Sequence, residues 1–463
     1  MRPKVRRLIA SVPLRLALLA FIVYNLNLRS ITSYDTYPTR LLPVAMLTGF
    51  QLHLDQFPFL LEERFPSPTK NVATSFMTFR RGHWRSRYPV MPALLATPVY
   101  ALPVMLGVHR GPPIGELARV EVVATLLAKV AASLAIALSV ALVFLTLAEF
   151  VDRRAATMLA LIYAFGTSSW SVSSQGLWQS AFSQPALALA LLALVRARTR
   201  DESRWVAVAG WALAVAVACR PPMALVALVL SVYVLRRHRA RFARFVVGPV
   251  VIGTLLVTYN LYYFGALSGG YRELAGSYSL SPAAFWLGLR GLLVSPNRGL
   301  FVFSPILAGA FAGSWLVLAR RGPERDELLG FVAAATLAAI LQYATFSGWH
   351  GAFGYSYRLL AELLPMLVLL MVPVWNRLVA TPTRRAVLAT VVAYSVAVQV
   401  IGAFYFPCGW FRTEKHDPTW PARFFSWSDM EMMQCLRAGP VDPDGLRAIR
   451  RALHIRGGGR EAR

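Results

Sequence analysis

The chain has 463 residues, 56% of them apolar and only 15% charged, where a soluble domain carries about a quarter charged residues. Aromatic residues at 12% exclude disorder, and a net charge of +26 that punctuates long apolar runs, rather than forming one stripe, excludes nucleic-acid binding. Three cysteines with no C-x-x-C pair exclude a disulfide scaffold and a cysteine zinc site.

A spanning helix needs about 20 apolar residues to cross about 30 Å of hydrocarbon. Basic residues 1–7 precede the apolar run 13–28, which has no small-residue cleavage site after it and predicts an uncleaved first span. Further spans are predicted near 119–149, 155–172, 181–195, 205–219 and 223–235. Five more follow near 245–264, 300–318, 328–346, 359–375 and 386–406. The fold class is an all-α polytopic membrane protein with about eleven transmembrane helices. Residues 88–108 are apolar but carry Pro89, Pro92, Pro98 and Pro103, each without a backbone donor. That stretch is expected to be half-inserted rather than spanning.

The positive-inside rule orients the chain. With 88–108 not crossing, the N-terminus and five short loops on one side hold 21 Lys and Arg. The short connections on the other side hold five, Arg220, Arg272, Arg290, Arg298 and Arg358. The N-terminus is therefore expected in the cytoplasm, in a plasma (inner) membrane. Two long hydrophilic regions face outward: a first outer loop at about 29–118 and a tail at 407–463, following a transmembrane module at 1–406. Residues 447–463 of that tail are themselves strongly basic, and 457–459 form a glycine linker. Cys408 and Cys435 lie in the tail, where an oxidising compartment allows a disulfide and spacing alone does not decide it. Cys219 reads as a small buried residue.

Soluble-enzyme signatures are absent: no Walker loop, H-E-x-x-H, G-x-S-x-G or Rossmann fingerprint. Any substrate must arrive activated. Asp35, in Ser33-Tyr34-Asp35-Thr36-Tyr37-Pro38, opens the first outer loop. It is either a partly desolvated general base or a turn or helix-cap residue. Asp55 is a second acid of the same loop, and Arg80, Arg81, His83, Arg85 and Arg87 stand among aromatics beyond it, suited to a phosphate or lipid head group. Arg298, in Ser295-Pro296-Asn297-Arg298-Gly299-Leu300, and Arg358, closing the stretch Trp349, His350, Tyr355, Tyr357, set arginines beside glycines and aromatics at outer helix ends. Planar guanidinium donors fit phosphate and aromatic faces fit sugars, although interfacial anchoring favours the same residues. Arg220 ends a span before Pro221-Pro222 and is either functional or snorkels to the surface; Lys129 lies inside a span and is either functional or structurally paired. Gln175, Trp178, Gln179 and Gln184 either bind a sugar or satisfy one another.

In this order the features resemble the GT-C superfamily of integral-membrane glycosyltransferases, in the branch near protein O-mannosyltransferases and lipid A aminoarabinose transferases. The resemblance covers most of 1–406. It is carried by Asp35-Thr36, the Pro-rich segment, Ala164-Phe165-Gly166-Thr167 with Trp170, and Tyr259-Asn260 with Phe264-Gly265. The Ser295–Leu300 and Trp349–Arg358 stretches complete it. It implies transfer of a sugar from a polyprenyl-phosphate carrier to a glycan, lipid or protein acceptor on the outer face, usually with inversion. Asp35 matches the catalytic base. Arg298 and Arg358 match donor-phosphate positions, with Arg220, Arg85 and Arg87 as further candidates. Asp55, His83, Trp349, His350, Tyr357 and Gln179 are candidates for binding substrate. Many members carry paired acids where this chain has Asp35-Thr36, which leaves both a divalent metal cofactor and the identity of the base open. The rivals are a ligase or polymerase using diphosphate-linked glycans, and a flippase for lipid-linked sugars.

Overall fold

The computed structural model describes residues 3–61, 76–114, 117–200, 202–271, 277–319, 326–410 and 420–443. The segment 447–463 with its glycine linker, and Arg272, Arg320, Arg321 and Arg325, lie outside the described residues. Helices α1 (Pro3–Asn25) and α2 (Tyr37–Gly49) come first, then an antiparallel hairpin of β1 (Met77–Arg80) and β2 (His83–Ser86). Next are α3 (Met91–Met105), α4 (Arg119–Leu147), α5 (Arg153–Phe165), α6 (Ser180–Arg200) and α7 (Ser203–Cys219). They are followed by α8 (Ala224–Arg237), α9 (Phe242–Phe264), α10 (Pro282–Val294), α11 (Ala308–Ala319) and α12 (Glu327–Ala344). The chain closes with α13 (Leu364–Leu369), α14 (Val372–Leu378), α15 (Pro382–Phe404) and, in the tail, α16 (Glu431–Ala438).

The protein is a helical membrane protein. Nine expected spans each overlap one α-helix, whereas 300–318 divides into Leu300–Phe303, Pro305–Leu307 and Ala308–Ala319, and 359–375 into Arg358–Leu363, Leu364–Leu369 and Val372–Leu378. By length and apolar composition alone, five helices among the described residues suffice to cross a bilayer: Arg119–Leu147, Ser180–Arg200, Arg239–Phe264, Glu327–Ala344 and Pro382–Phe404. A sixth is obtained if Arg358–Leu369 and Val372–Leu378, bent by 67° at their junction, count as one. This standard does not establish the expected count of eleven. The Pro-rich α3 has 15 residues, about 22 Å at about 1.5 Å per residue, short of a full crossing. Two elements were not expected from the sequence: α10 and the hairpin, whose Arg81-Gly82 turn takes positive φ at both residues, as a two-residue hairpin loop requires.

Helix starts and ends follow local chemistry. Asp152 caps α5 by accepting from Arg154 N at 2.8 Å and Ala155 N at 3.1 Å, and Asp326 caps α12 through Leu329 N at 3.1 Å. At the contact of α7 with α9, a Cβ on Gly210 would lie 1.9 Å from the Phe245 carbonyl oxygen. Only glycine lets these two backbones meet, the small-residue packing of membrane helices.

Ion pairs gather the charged turns at one end of the bundle. Arg198 Nη1 donates to Asp326 Oδ2 at 2.6 Å, Arg200 Nη2 reaches Glu149 Oε1 at 3.5 Å, and Arg236 Nε lies 3.5 Å from Glu327 Oε1. Helix α6 runs 21 residues away from that end, about 32 Å, and α7 returns alongside it. Residues 179–180 and Arg220 therefore share the opposite end. Inside the bundle, Lys129 Nζ donates to Tyr24 O at 2.7 Å and Gln175 Oε1 at 2.6 Å. Gln184 Nε2 donates to the Tyr163 hydroxyl at 2.7 Å and Ser169 Oγ at 2.7 Å. Lys129, Gln175 and Gln184 are thus engaged in internal pairing.

The described part of the tail packs into the helices. Trp410, Phe424, Met432 and Cys435 belong to the same buried apolar cluster as α4 to α6, so residue 407 is not a packing boundary. Cys408 and Cys435 are joined by a disulfide. Arg298 and Glu431, each 1% exposed, form an ion pair that ties the tail to the loop before residue 300. Burial pushes the Glu431 carboxyl above its ordinary range, against the opposing pull of Arg298, so the pair orients the tail more than it adds net stability. Glu431→Gln leaves the Arg298 charge uncompensated and is expected to destabilise the protein by about 3–5 kcal/mol. A thermal melt in detergent checks this, and an unchanged midpoint contradicts it.

Candidate active site

Two prolines end α7 abruptly. Arg220 takes extended backbone, φ −142° and ψ 95°, before Pro221, because a residue preceding proline is driven from the helical region. Its side chain thereby projects from the helix end. Its Nη1 donates to Gln179 Oε1, its Nε lies 3.1 Å from Glu362 Oε1, and Nε also donates to the Tyr343 hydroxyl at 3.3 Å. The Tyr271 hydroxyl donates to the same Gln179 oxygen at 2.7 Å.

Asp35 occupies the single 3-10 turn Tyr34–Thr36, closed by Thr36 N and Thr36 Oγ1 on the Ser33 carbonyl at 3.0 and 2.7 Å. It does not cap α2. The cap position is Thr36, which makes no side-chain cap bond. Instead Asp35 Oδ1 accepts from the Ser33 hydroxyl and Oδ2 accepts from Arg358 Nη1 at 2.8 Å. Arg358 starts the 3-10 helix Arg358–Leu363, and its guanidinium lies 4.5 Å from the centre of the Trp178 ring. The loop before it is wound by positive φ at Gly351, Ala352 and Ser356. At Gly354 a Cβ would come within 2.8 Å of Arg358 Cδ and 3.1 Å of its Nε. Glycine there makes room for the arginine to reach back to Asp35.

These groups line one half-open cavity, formed by Asp35, Thr36, Thr39, Leu177, Trp178, Gln179, Ser180, Arg220, Arg358 and Glu362. Two carboxylates and two guanidiniums balance within it. Among the described residues, Arg358 Nε, Trp178 Nε1 and Glu362 Oε2 are buried without a hydrogen-bond partner. Unmade bonds of this kind are costly, and here they belong to residues that face a cavity able to admit a polar ligand.

The cavity unites Asp35, Arg220, Arg358 and Gln179 of the expected site residues. The others sit elsewhere. Arg298 is enclosed between the tail and the 350s loop, donating to His350 O at 2.9 Å, Ala352 O at 3.4 Å, Asn297 O and Glu431. Its donors therefore point at protein acceptors. Trp349 packs edge-on to Phe424, while His350 stacks on Phe424 with centroids 4.5 Å apart. Burial, with Arg298 and Arg358 adding to it, pushes the His350 imidazole down to about 4, which keeps it neutral at pH 7. Tyr357 shares a 2.6 Å hydrogen bond with Ser304 Oγ and accepts from Ser168 N at 3.1 Å. Arg85 is buried over the Tyr263 ring, 3.9 Å from its centre, and Arg87 does not line the cavity. Asp55 and His83 pair with each other at 2.5 Å. Sequence reasoning missed Glu362, although a lone acid inside an apolar stretch is itself a signal.

A family model described as dolichyl-phosphate-mannose-protein mannosyltransferase matches residues 121–263, from α4 to α9. No protein of curated function matches the chain in sequence. Among solved structures the chain is similar to ArnT from Cupriavidus metallidurans bound to undecaprenyl phosphate. The TM-score is 0.55 at 15% identity, covering 90% of this chain and 67% of that one. It is also similar to the Archaeoglobus fulgidus oligosaccharyltransferase tethered with an acceptor peptide. There the TM-score is 0.47 at 13% identity, covering 89% of this chain and 58% of that one. The architecture of this chain is accordingly the helical membrane fold that it shares with ArnT.

Proposed function

We propose that the chain is a membrane glycosyltransferase that moves a sugar from a polyprenyl-phosphate donor to an acceptor hydroxyl, with inversion, at the outer face of a plasma (inner) membrane. The observation that carries the proposal is the 2.8 Å Asp35–Arg358 pair in a cavity shared with Arg220. The family description and the undecaprenyl phosphate bound to ArnT support the donor class, and the bias of basic residues toward the opposite end of the helices supports the outer location.

The donor phosphate competes with Asp35 for Arg358. When Arg358 turns to the phosphate, Asp35 Oδ2 loses its hydrogen-bond donor and is free to accept a proton. The acceptor O–H proton passes to Asp35 as its oxygen attacks the anomeric carbon. The bond from that carbon to the phosphate oxygen breaks, and the electron pair leaves on the polyprenyl phosphate. Charge gathers on the departing phosphate, where Arg358 and Arg220 stabilise it in a partly shielded site. Glu362 holds Arg220 in position, and the unused Trp178 indole N–H and the Gln179 amide NH2 offer hydrogen-bond donors for the sugar.

The test is transfer in proteoliposomes supplied separately with polyprenyl-phosphate sugar and with diphosphate-linked glycan. Covalent product from the first donor is expected. Product only from the second, or lipid movement across the bilayer without transfer, contradicts the proposal. In the same assay Gly354→Ala is expected to lower turnover about 10- to 100-fold by pushing the Arg358 side chain out of its place in the cavity. Turnover equal to the parent protein would remove that positioning role.

A further inference from the structure

Away from the cavity, the first long loop builds a second cluster. The tight Arg81-Gly82 turn sets His83 at the start of β2, paired with Arg80 across the hairpin. Leu54 N donates to Trp84 O at 2.8 Å, and Trp84 N donates to Asp55 Oδ1 at 2.7 Å, which lays residues 53–55 along that strand. As a result His83 Nδ1 lies 2.5 Å and His53 Nδ1 lies 3.3 Å from the same oxygen, Asp55 Oδ2. All three ligand atoms fall within 4.8 Å of one another, and the two imidazoles are stacked at 4.1 Å.

A protonated hydrogen-bond cluster does not account for all of these atoms. One shared proton joins His83 to Asp55, while His53 Nδ1 is buried without a hydrogen-bond partner. A cation in place of that proton serves both imidazoles and the carboxylate together. With metal–ligand bonds of about 2.0–2.1 Å, tetrahedral ligand atoms lie about 3.3 Å apart, the separation already present between His53 and Asp55. The two imidazole planes lie 17° apart in a stack, so His83, whose side chain is 42% exposed, has to rotate out of the stack for both lone pairs to meet one ion. The Trp84 N–H on the second carboxylate oxygen supplies the outer bond that orients a ligating carboxylate. Burial, reinforced by His83 and Arg85, keeps the His53 imidazole below its ordinary value despite the pull of Asp55. The Asp55 carboxyl is held below its ordinary range, burial being outweighed by the bonds from His83 and Trp84. Arg85 is the opposing charge, and its guanidinium is turned onto Tyr263.

We propose that His53, Asp55 and His83 bind one divalent transition-metal ion of the zinc class, with water in the solvent-facing fourth position. Two imidazoles and one carboxylate suit that class. The ion clips residues 53–55 to the hairpin and so braces the first long loop. None of the three residues lines the cavity, and the proposal does not depend on the reaction assigned there.

The full chain, purified in detergent with a histidine-free tag and stripped by chelator, is loaded with zinc and, separately, with cobalt. One zinc per chain and the visible absorption of tetrahedral cobalt are expected. His83→Ala and Asp55→Asn are expected to weaken zinc binding about tenfold or more and to abolish the cobalt band. His83→Cys keeps the metal and adds a thiolate-to-cobalt charge-transfer band, a signature that a misfolded variant does not produce. Absence of zinc uptake by the stripped parent protein, uptake equal in all variants, or a His83→Cys protein without the new band overturns the proposal.

Discussion

Asp35→Asn is expected to slow sugar transfer by about 10²- to 10⁴-fold, the range of a lost general base, while donor binding stays equal or tightens. The two effects separate because Asp35 and the donor phosphate draw on the same guanidinium. Arg358 Nη1 donates to Asp35 Oδ2 at 2.8 Å. Asparagine is isosteric and uncharged, so the phosphate meets less competition for Arg358. A merely structural aspartate would lower protein yield or stability instead of splitting kcat from KM in this way. Undiminished turnover removes Asp35 from the mechanism.

Arg358→Ala is expected to weaken donor binding about 10- to 100-fold, since a charge-assisted hydrogen bond contributes about 1.5–3 kcal/mol. Turnover also falls, because the same group stabilises the departing phosphate. Arg358→Lys recovers only part of this loss, as a point charge does not reproduce the planar fork that reaches Asp35 on one side and lies over Trp178 on the other. Donor affinity measured by titration in nanodiscs checks it, and an affinity equal to that of the parent protein counts against the clamp.

The helices were legible because crossing a bilayer demands long apolar runs, and those runs are local in sequence. The convergence of Asp35, Arg220 and Arg358 was legible for a related reason, since each sits where an apolar run ends on the same side. What decided between arginines was not local. Arg298 and Arg358 look alike in sequence, each beside glycines and aromatics, yet Glu431 of the tail lies 133 positions away and takes Arg298. Trp349, His350 and Tyr357 were drawn off in the same way by Phe424 and Ser304. Asp55 and His83 were recognised as chemically capable, but His53, which completes their cluster, drew no attention as a lone loop histidine. Glu362 was hidden by its apolar neighbours, although its burial beside Arg220 makes it the second acid of the cavity.

The most direct measurement is a structure of the full chain with polyprenyl phosphate bound. The phosphate oxygens are expected within hydrogen-bond reach of Arg358 and Arg220, with the Asp35–Arg358 pair opened and the Arg298–Glu431 pair intact. A phosphate seated beside Arg298, or anywhere outside the cavity that holds Asp35, would contradict the account.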